Sequence, residues 1–210
     1  MVMKKSKKFY IVCSLAIGDG CLRRRYNTKK AELDIAHHIK HRDYIEYKAR
    51  ILEEIGTKTK TTVKNRKGNT QYRVYTNSNY LNYCVWKELY RNGKKIFTNS
   101  MLRNLDEWSL AILWMDDGTL YFQKKTRRDG TVYKYKYGGI ATNSFDKKSN
   151  ERILEWLRKF GITGYLVRDN RLSEDNKYSV RFNRDNVNKL VKIVKSIVKN
   201  IGSMRYKVRD

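Results

Sequence analysis

Two aspartates, each near the start of one half of the chain, Asp19 and Asp117, occur in the same local setting. The first follows the run Phe9-Tyr-Ile-Val-Cys-Ser-Leu-Ala-Ile-Gly-Asp-Gly-Cys-Leu22. The second follows Asp106-Glu-Trp-Ser-Leu-Ala-Ile-Leu-Trp-Met-Asp-Asp-Gly-Thr-Leu120. Each run is about two helical turns of apolar residues ending in Asp-Gly. Gly20 and Gly118 read as helix-ending glycines, which puts both carboxylates at the carboxyl ends of their helices. That end is already electronegative, because the last carbonyls lack partners and the helix dipole points its negative pole there. In the first run Ser14 and Gly18 share a helix face and are small enough to let a second helix come close. If the two helices pack side by side, two carboxylates and several carbonyl oxygens meet at one point. A cluster of that kind calls for a hard divalent cation, Mg²⁺ foremost.

Other chemistries find little support. The three cysteines, Cys13, Cys21 and Cys84, form no CxxC pair and are odd in number, so they read as reduced, mostly buried thiols. The histidines are His37, His38 and His41. His37 and His41 have metal-ligand spacing, but no cysteine lies where a zinc site would need one. No Ser, Cys or His is placed as a nucleophile. The lysines before Phe9 imitate the start of a signal peptide, yet the apolar run is short, is interrupted by Gly18-Asp19 and has no small-x-small cleavage site after it. No stretch is long and apolar enough to span a bilayer. The expected location is therefore the cytoplasm or an organellar matrix, not the exterior, and no membrane partner is expected.

Charge names the partner class. Among 210 residues, 47 Lys and Arg stand against 21 Asp and Glu, a formal charge of +26. Such a balance implies a polyanion, either nucleic acid or an acidic membrane surface. The 16 tyrosines interleaved with the basic residues favour nucleic acid. A structural RNA-binding protein would share this composition, so charge alone does not separate the two.

The elements that must position the aspartates follow a repeated order. After the first motif helix, segments 21–27 and 31–38 read as strands, 43–55 as a helix with Ile45, Ala49, Leu52 and Ile55 on its apolar face, 57–65 and 70–77 as strands around Lys67-Gly68-Asn69, and 80–91 as a helix. Residues 94–105 form a short basic linker, rich enough in apolar residues to be ordered. The second half repeats the pattern: strands at 119–125 and 131–143 about Arg127-Arg-Asp-Gly130, a helix at 146–160, strands at 162–169 and 178–183, and a helix at 185–198 with lysines outward. Residues 201–210 read as a basic tail. The expectation is an α+β fold of two pseudo-symmetric αββαββα halves, 1–93 and 106–210, each with a four-stranded antiparallel sheet.

Strand alternation gives each sheet a polar face. Leu22 shares parity with Arg24 and Tyr26, leaving Arg23, Arg25 and Asn27 opposite; Gln71, Arg73 and Tyr75 face away from Tyr72 and Val74. In the second half the exposed set is Tyr121, Gln123 and Lys125, then Tyr133, Tyr135 and Tyr137, then Arg168, Ser179, Arg181 and Asn183. Sheets with such faces suit duplex DNA: Arg matches guanine and Gln or Asn matches adenine in the major groove, while Lys contacts phosphate. Glu32 and Asp34 are acidic exceptions that either accept from cytosine or relieve charge.

The two motif runs resemble the paired motifs of the LAGLIDADG homing endonucleases in their single-chain form. Leu110-Ala111 and Met115-Asp-Asp-Gly118 match closely, while the first copy has Cys13 and Ser14 where the family has Ala and Gly. The resemblance implies a monomer whose two sheets form a saddle on double-stranded DNA. It also implies cleavage of both strands of a long, non-palindromic site by Mg²⁺-dependent hydrolysis, with Mn²⁺ or Ca²⁺ able to occupy the same place. Asp19 and Asp117 would be catalytic and hold the metal, with help from Gly18 and Asp116. Local patterns Lys94-Lys-Ile and Met204-Arg-Tyr-Lys207 match those that carry a basic residue beside each centre, so Lys95 and Lys207 are the further catalytic candidates, with Lys94 competing for the first place. An intron RNA maturase and a DNA-binding regulator without catalysis are the alternatives on the same fold.

Overall fold

Ser6 opens the first motif helix: its hydroxyl accepts from the Phe9 amide at 3.3 Å, capping α1 (Lys7–Ile17). The second motif helix, α5 (Glu107–Asp117), starts with a reciprocal cap in which Asp106 accepts from the Ser109 amide and the Ser109 hydroxyl accepts from the Asp106 amide. Both helices are apolar nearly all round and both are buried nearly all round, as expected for core helices. The computed structural model describes residues 6–66, 68–168 and 177–209. Lys4 and Lys5, Lys67 of the first hairpin turn, and Asp169 lie outside the described residues.

Each motif helix leads into the same succession of elements. In the first half these are β1 (Cys21–Arg24), β2 (Ala31–His38), a 3₁₀ turn at Ile39–His41, α2 (Arg42–Glu54), β3 (Thr59–Arg66), β4 (Asn69–Thr76) and α3 (Tyr80–Leu89). A hairpin, β5 (Tyr90–Arg91) and β6 (Lys94–Lys95), then leads to α4 (Asn99–Leu102). The second half continues from α5 through β7 (Gly118–Thr126), β8 (Val132–Ile140), α6 (Lys147–Arg158), β9 (Tyr165–Arg168), β10 (Tyr178–Phe182) and α7 (Arg184–Val198), and ends in a 3₁₀ helix at Gly202–Val208. The two large sheets have strand orders β1-β2-β4-β3 and β7-β8-β10-β9, all neighbours antiparallel. The expected duplication is thus one of topology as well as motif. Among the described residues no helix is long and apolar enough to cross a membrane.

One continuous core joins the halves. Leu15, Ile17, Leu33, Ile35 and Leu52 from the first half meet Leu110, Trp114, Ile153, Phe182 and Val194 from the second in a single cluster. The connecting segment belongs to it: Phe97 is fully buried edge-on against Phe145 at 4.7 Å, and its amide donates to the Ser149 hydroxyl. The linker is therefore ordered, as its apolar content suggests.

Several expectations are corrected. Gly20 and Gly118 do not adopt the left-handed conformation of a helix-ending glycine, since neither has positive φ. They are glycine because of close approach: a Cβ on Gly20 would lie 2.1 Å from the Leu15 carbonyl oxygen, and one on Gly118 2.3 Å from the Trp114 ring. The strand expected over 21–27 stops at Arg24, and Asn27 occupies a turn with φ 56°. The helix expected over 80–91 stops at Leu89, because Asn92 (φ 51°) and Gly93 (φ 75°) make a tight turn that pairs Tyr90–Arg91 with Lys94–Lys95. The expected basic tail is the packed 3₁₀ helix, with Met204, Lys207 and Val208 buried. None of the cysteines is in a disulfide; Cys13 is buried but Cys21 is exposed.

Candidate metal and catalytic centre

Small residues on α1 let the two motif helices meet. Ser14 and Ser109 join hydroxyl to hydroxyl at 2.8 Å, and further along Gly18 faces Asp116 so closely that a Cβ there would sit 2.2 Å from Asp116 Oδ2. Because the two contacts follow in the same order along both segments, Ser14 then Gly18 against Ser109 then Asp116, the helices run in the same direction. Their carboxyl ends, and so Asp19 and Asp117, arrive at the same place.

The electrostatics of that place are those of an unneutralised carboxylate pair. Asp117 is pushed from 3.8 up to about 7 by burial and by the neighbouring charges of Asp19 and Asp116. Asp19 is raised too, by burial and then by Asp116. Two lysines oppose the excess. Lys95, at the end of the β5–β6 hairpin, donates to the Gly18 and Gly20 carbonyls at 2.7 Å each. Lys207, on the terminal 3₁₀ helix, donates to the Gly118 carbonyl. Each ammonium therefore caps the end of one motif helix, in matching fashion. Burial lowers the pKa of both, while the three aspartates pull it back up. Lys94 points to solvent and makes no such contact. The Lys207 backbone is itself fixed, since the Trp114 indole donates to its carbonyl at 2.8 Å.

Asp116 has a different role from its neighbour. Its side chain is fully buried and accepts from Lys48 Nζ at 2.6 Å, from the Tyr44 hydroxyl at 2.8 Å and from the Asp19 amide at 3.1 Å. Burial would raise its pKa, but the charge and hydrogen bond of Lys48, helped by the Tyr44 hydroxyl, outweigh that and hold it below the ordinary value. His37 lies between the two carboxylates, its Nδ1 3.5 Å from Asp19 Oδ2 and its Nε2 3.6 Å from Asp116 Oδ1. Burial and the adjacent Lys48 push the imidazole down to about 3, so it is neutral at physiological pH. Asp19, His37 and Asp116 bring one potential metal-ligand atom each within 4.8 Å of one another. Carboxylates of raised pKa with carbonyls around them fit a divalent cation, which would remove the repulsion that now disfavours their charged forms.

The sequence did not single out His37, Tyr44 or Lys48 for this centre. One signal was available. Lys48 falls on the same helical face as Ile45, Ala49 and Leu52, where a lysine needs a buried acid.

The polar sheet faces carry most of the residues that alternation assigns to them. In the second half Arg181 donates to the Tyr121 hydroxyl at 3.0 Å and lies over its ring, Tyr121 stacks on Tyr137, Tyr135 leans on Tyr137, and Lys125 approaches the Tyr135 ring. Gln123 and Tyr133 are exposed beside them. Arg168 is exposed too, but it stands across from Tyr178 while Arg181 stands across from Tyr165, so the register puts it on the opposite face of the sheet from the one expected. In the first half Arg23 and Arg73 both reach Asp34, and Gln71 and Tyr75 are half-buried. Arg25 and Asn27 project from the turn after β1 instead of from the strand. Ser179 is buried, and Asn183 is the N-cap of α7, its side chain accepting from the Asn186 amide. Ser179 is therefore not available in the way that strand parity implies, while Asn183 stays exposed with its Oδ1 committed to the cap.

With this geometry in place, comparison with known proteins is specific. The sequence matches the profile of the LAGLIDADG DNA endonuclease family over residues 9–190. The fold is similar to that of the homing endonuclease I-WcaI bound to its DNA recognition sequence, with a TM-score of 0.76 over 98% of this chain and 88% of that one, at 20% identity. It is also similar to I-DmoI in complex with DNA and Ca, with a TM-score of 0.53 over 91% of this chain and 88% of that one, at 16% identity. A stretch of 161 residues, 72% of the chain, is 23% identical to part of Protein RecA from Mycobacterium shimoidei, and spans 35% of that protein.

Proposed function

Because this chain belongs to the LAGLIDADG DNA endonuclease family, we propose that it is a site-specific homing endonuclease that cuts both strands of a long, non-palindromic DNA duplex with Mg²⁺ as its working ion. The observation that carries this reading is the meeting of Asp19 and Asp117 at the ends of two buried helices, with one lysine bound over each end. A regulator that only binds DNA has no use for paired carboxylates facing the phosphates, where they weaken affinity.

Asp19 and Asp117 would hold the metal, as the two acids whose charge is least compensated by the protein. Asp116 is occupied by Lys48 and Tyr44, and the Gly18 carbonyl by Lys95, so their part is to frame the centre. A divalent cation there supplies charge neutralisation at the phosphate and a more acidic water. The chain's own residues do the rest. Lys95 and Lys207 place positive charge beside the scissile groups, where negative charge grows during hydrolysis, and the carbonyls they grip fix them in position before substrate arrives. His37, neutral and pinned between Asp19 and Asp116, orients the Asp19 carboxylate without adding charge. The sheets bind the duplex on either side, Lys supplying phosphate contacts and Arg, Gln and Tyr the base edges. Because the two sheets differ in sequence, their half-sites differ as well.

The test is incubation of the full chain with a randomised duplex library in Mg²⁺, followed by sequencing of the cut ends. A single extended, asymmetric sequence enriched at the ends, and lost when EDTA is added, is the expected result. Absence of any Mg²⁺-dependent ends over the whole library would overturn the reading.

A further inference from the structure

Asp34 is, with Glu32, one of two acids of β2 on a face that otherwise collects positive charge, and it is not left free there. In β2 it stands opposite Cys21 of β1 and Tyr75 of β4. Arg73 closes on it from β4 with a two-point fork, Nε reaching Oδ1 at 3.3 Å and Nη2 reaching Oδ2. Arg23 of β1 comes from the other side, its Nη2 2.7 Å from Oδ2. The carboxylate side chain is only 6% exposed, while Arg23 is 59% and Arg73 19% exposed. A base edge therefore meets the guanidinium groups and not the acid, which excludes direct acceptance from cytosine.

We propose that Asp34 is a specificity-determining residue, one that holds Arg23 and Arg73 as a pair of pre-set forks reading guanine beside the cleavage point. This rests on the DNA endonuclease reading above. Each arginine keeps donors that the carboxylate does not use, and guanine's O6 and N7 accept from such a fork in two places. An arginine normally loses much rotamer freedom when it docks on a base; one already locked by a buried acid loses less. The position is also close to the chemistry, since β1 begins one residue after Gly20 of the motif.

Among the described residues the second half lacks the device. The register that sets Asp34 across from the residue after the first motif glycine sets Gly139 across from Thr119. A larger residue is disfavoured there, as a Cβ would lie 2.8 Å from the Val180 carbonyl oxygen as well as against the Arg181 side chain. Arg181 is steadied by the Tyr121 hydroxyl instead. One sheet thus fixes its arginines with a charge and the other with a phenol, so the two central half-sites are read by different means.

The experiment selects bound duplexes from a randomised library, comparing the wild-type chain with Arg23→Ala, Arg73→Ala and Asp34→Asn. The wild type should enrich guanine at the positions that the arginine variants blur. Asp34→Asn should blur those same positions by roughly 10- to 100-fold in preference, while its affinity for random duplex holds or rises. Arg23→Lys and Arg73→Lys keep both the charge and Asp34 and cannot form the planar fork; they should weaken the guanine preference with the salt dependence unchanged, which covers the case in which Asp34→Asn fails to fold. Three results would overturn the proposal: a base preference in Asp34→Asn identical to wild type, a loss confined to a cytosine that the arginine variants leave intact, or guanine preference retained by both lysine variants. A wild-type pool with no enriched sequence would instead remove the DNA-reading function itself, and the clamp with it.

Discussion

Lys48 on α2 and Asp116 on α5 form an ion pair of 2.6 Å between the two halves of the chain, with both side chains wholly excluded from water. The second motif carries Asp116 where the first carries Gly18, each just ahead of its motif aspartate, so the pair breaks the molecule's pseudo-symmetry. Buried residues of α2 (Tyr44, Ile45, Lys48, Leu52) and of α6 (Ser149, Asn150, Ile153, Leu157) follow the same spacing, which places Ile153 where the first half has Lys48. Removing one partner leaves the other charge buried and alone. Lys48→Met and Asp116→Ala should each cost about 3–5 kcal/mol of stability, and the double variant should regain most of it. Urea unfolding of the three variants checks this; a double variant weaker than either single one would show that the pair is not mutually compensating.

Asp19→Asn and Asp117→Asn should each abolish double-strand cleavage while leaving DNA affinity the same or higher. On the proposed function the sheets would supply affinity, whereas the acids would face the phosphates. Gel-based cleavage and mobility shift on one labelled duplex give both readouts. Full cleavage by either variant in Mg²⁺ would contradict the assignment.

Lys95 and Lys207 grip different motif helices, so their loss should not be equivalent. Substitution by Met keeps the stem and deletes the charge, limiting the packing loss. Each variant should accumulate nicked plasmid before linear product, and the two should differ in the strand cut first. End-labelling each strand separately tests this, and equal slowing of both strands in both variants would reduce the lysines to general phosphate attraction.

The raised pKa of Asp117 has a defined sign. Its folded-state value of about 7 lies above the unfolded value near 3.8. Between these the metal-free folded protein holds a proton that the unfolded chain has released, so stability present at low pH is lost as pH rises towards 7. Asp117→Asn should flatten that loss in thermal melts taken with EDTA. In the wild type, metal binding should release close to one proton near pH 6–7 and weaken as pH falls through that range. Calorimetry in buffers of different ionisation enthalpy counts the proton, and a release of zero would place the Asp117 pKa well below neutrality.

Much of this centre was legible in the chain. The repeated apolar run ending in Asp-Gly announces two buried helices, and Ser14 and Gly18 announce their close packing, because residue size and helical period are local properties. Strand parity likewise separated Arg23 and Arg73 from Leu22, Tyr72 and Val74, since alternation is fixed by the pleat. The reason for Gly20 and Gly118 was not legible. It lies in the Leu15 carbonyl and the Trp114 ring, atoms folded back onto those positions, and not in any turn conformation that a glycine advertises.

The sequence by itself determined the two-fold repeat, the pair of acids, the polar faces and the basic character that draws them to a polyanion. Each follows from periodicity or composition, which act over a few residues or over the chain as a whole. Only the tertiary structure decided which groups share the centre. His37 arrives by strand register, Lys48 and Tyr44 by the packing of α2 on α5, and Lys207 by the docking of a terminal segment that reads as a tail. Asp116 and Asp117 are adjacent in sequence and alike in chemistry, yet one is neutralised by a buried lysine and the other is left to repel its neighbour. Coulomb interactions and desolvation depend on distance in space, and neighbours in the chain need not share them.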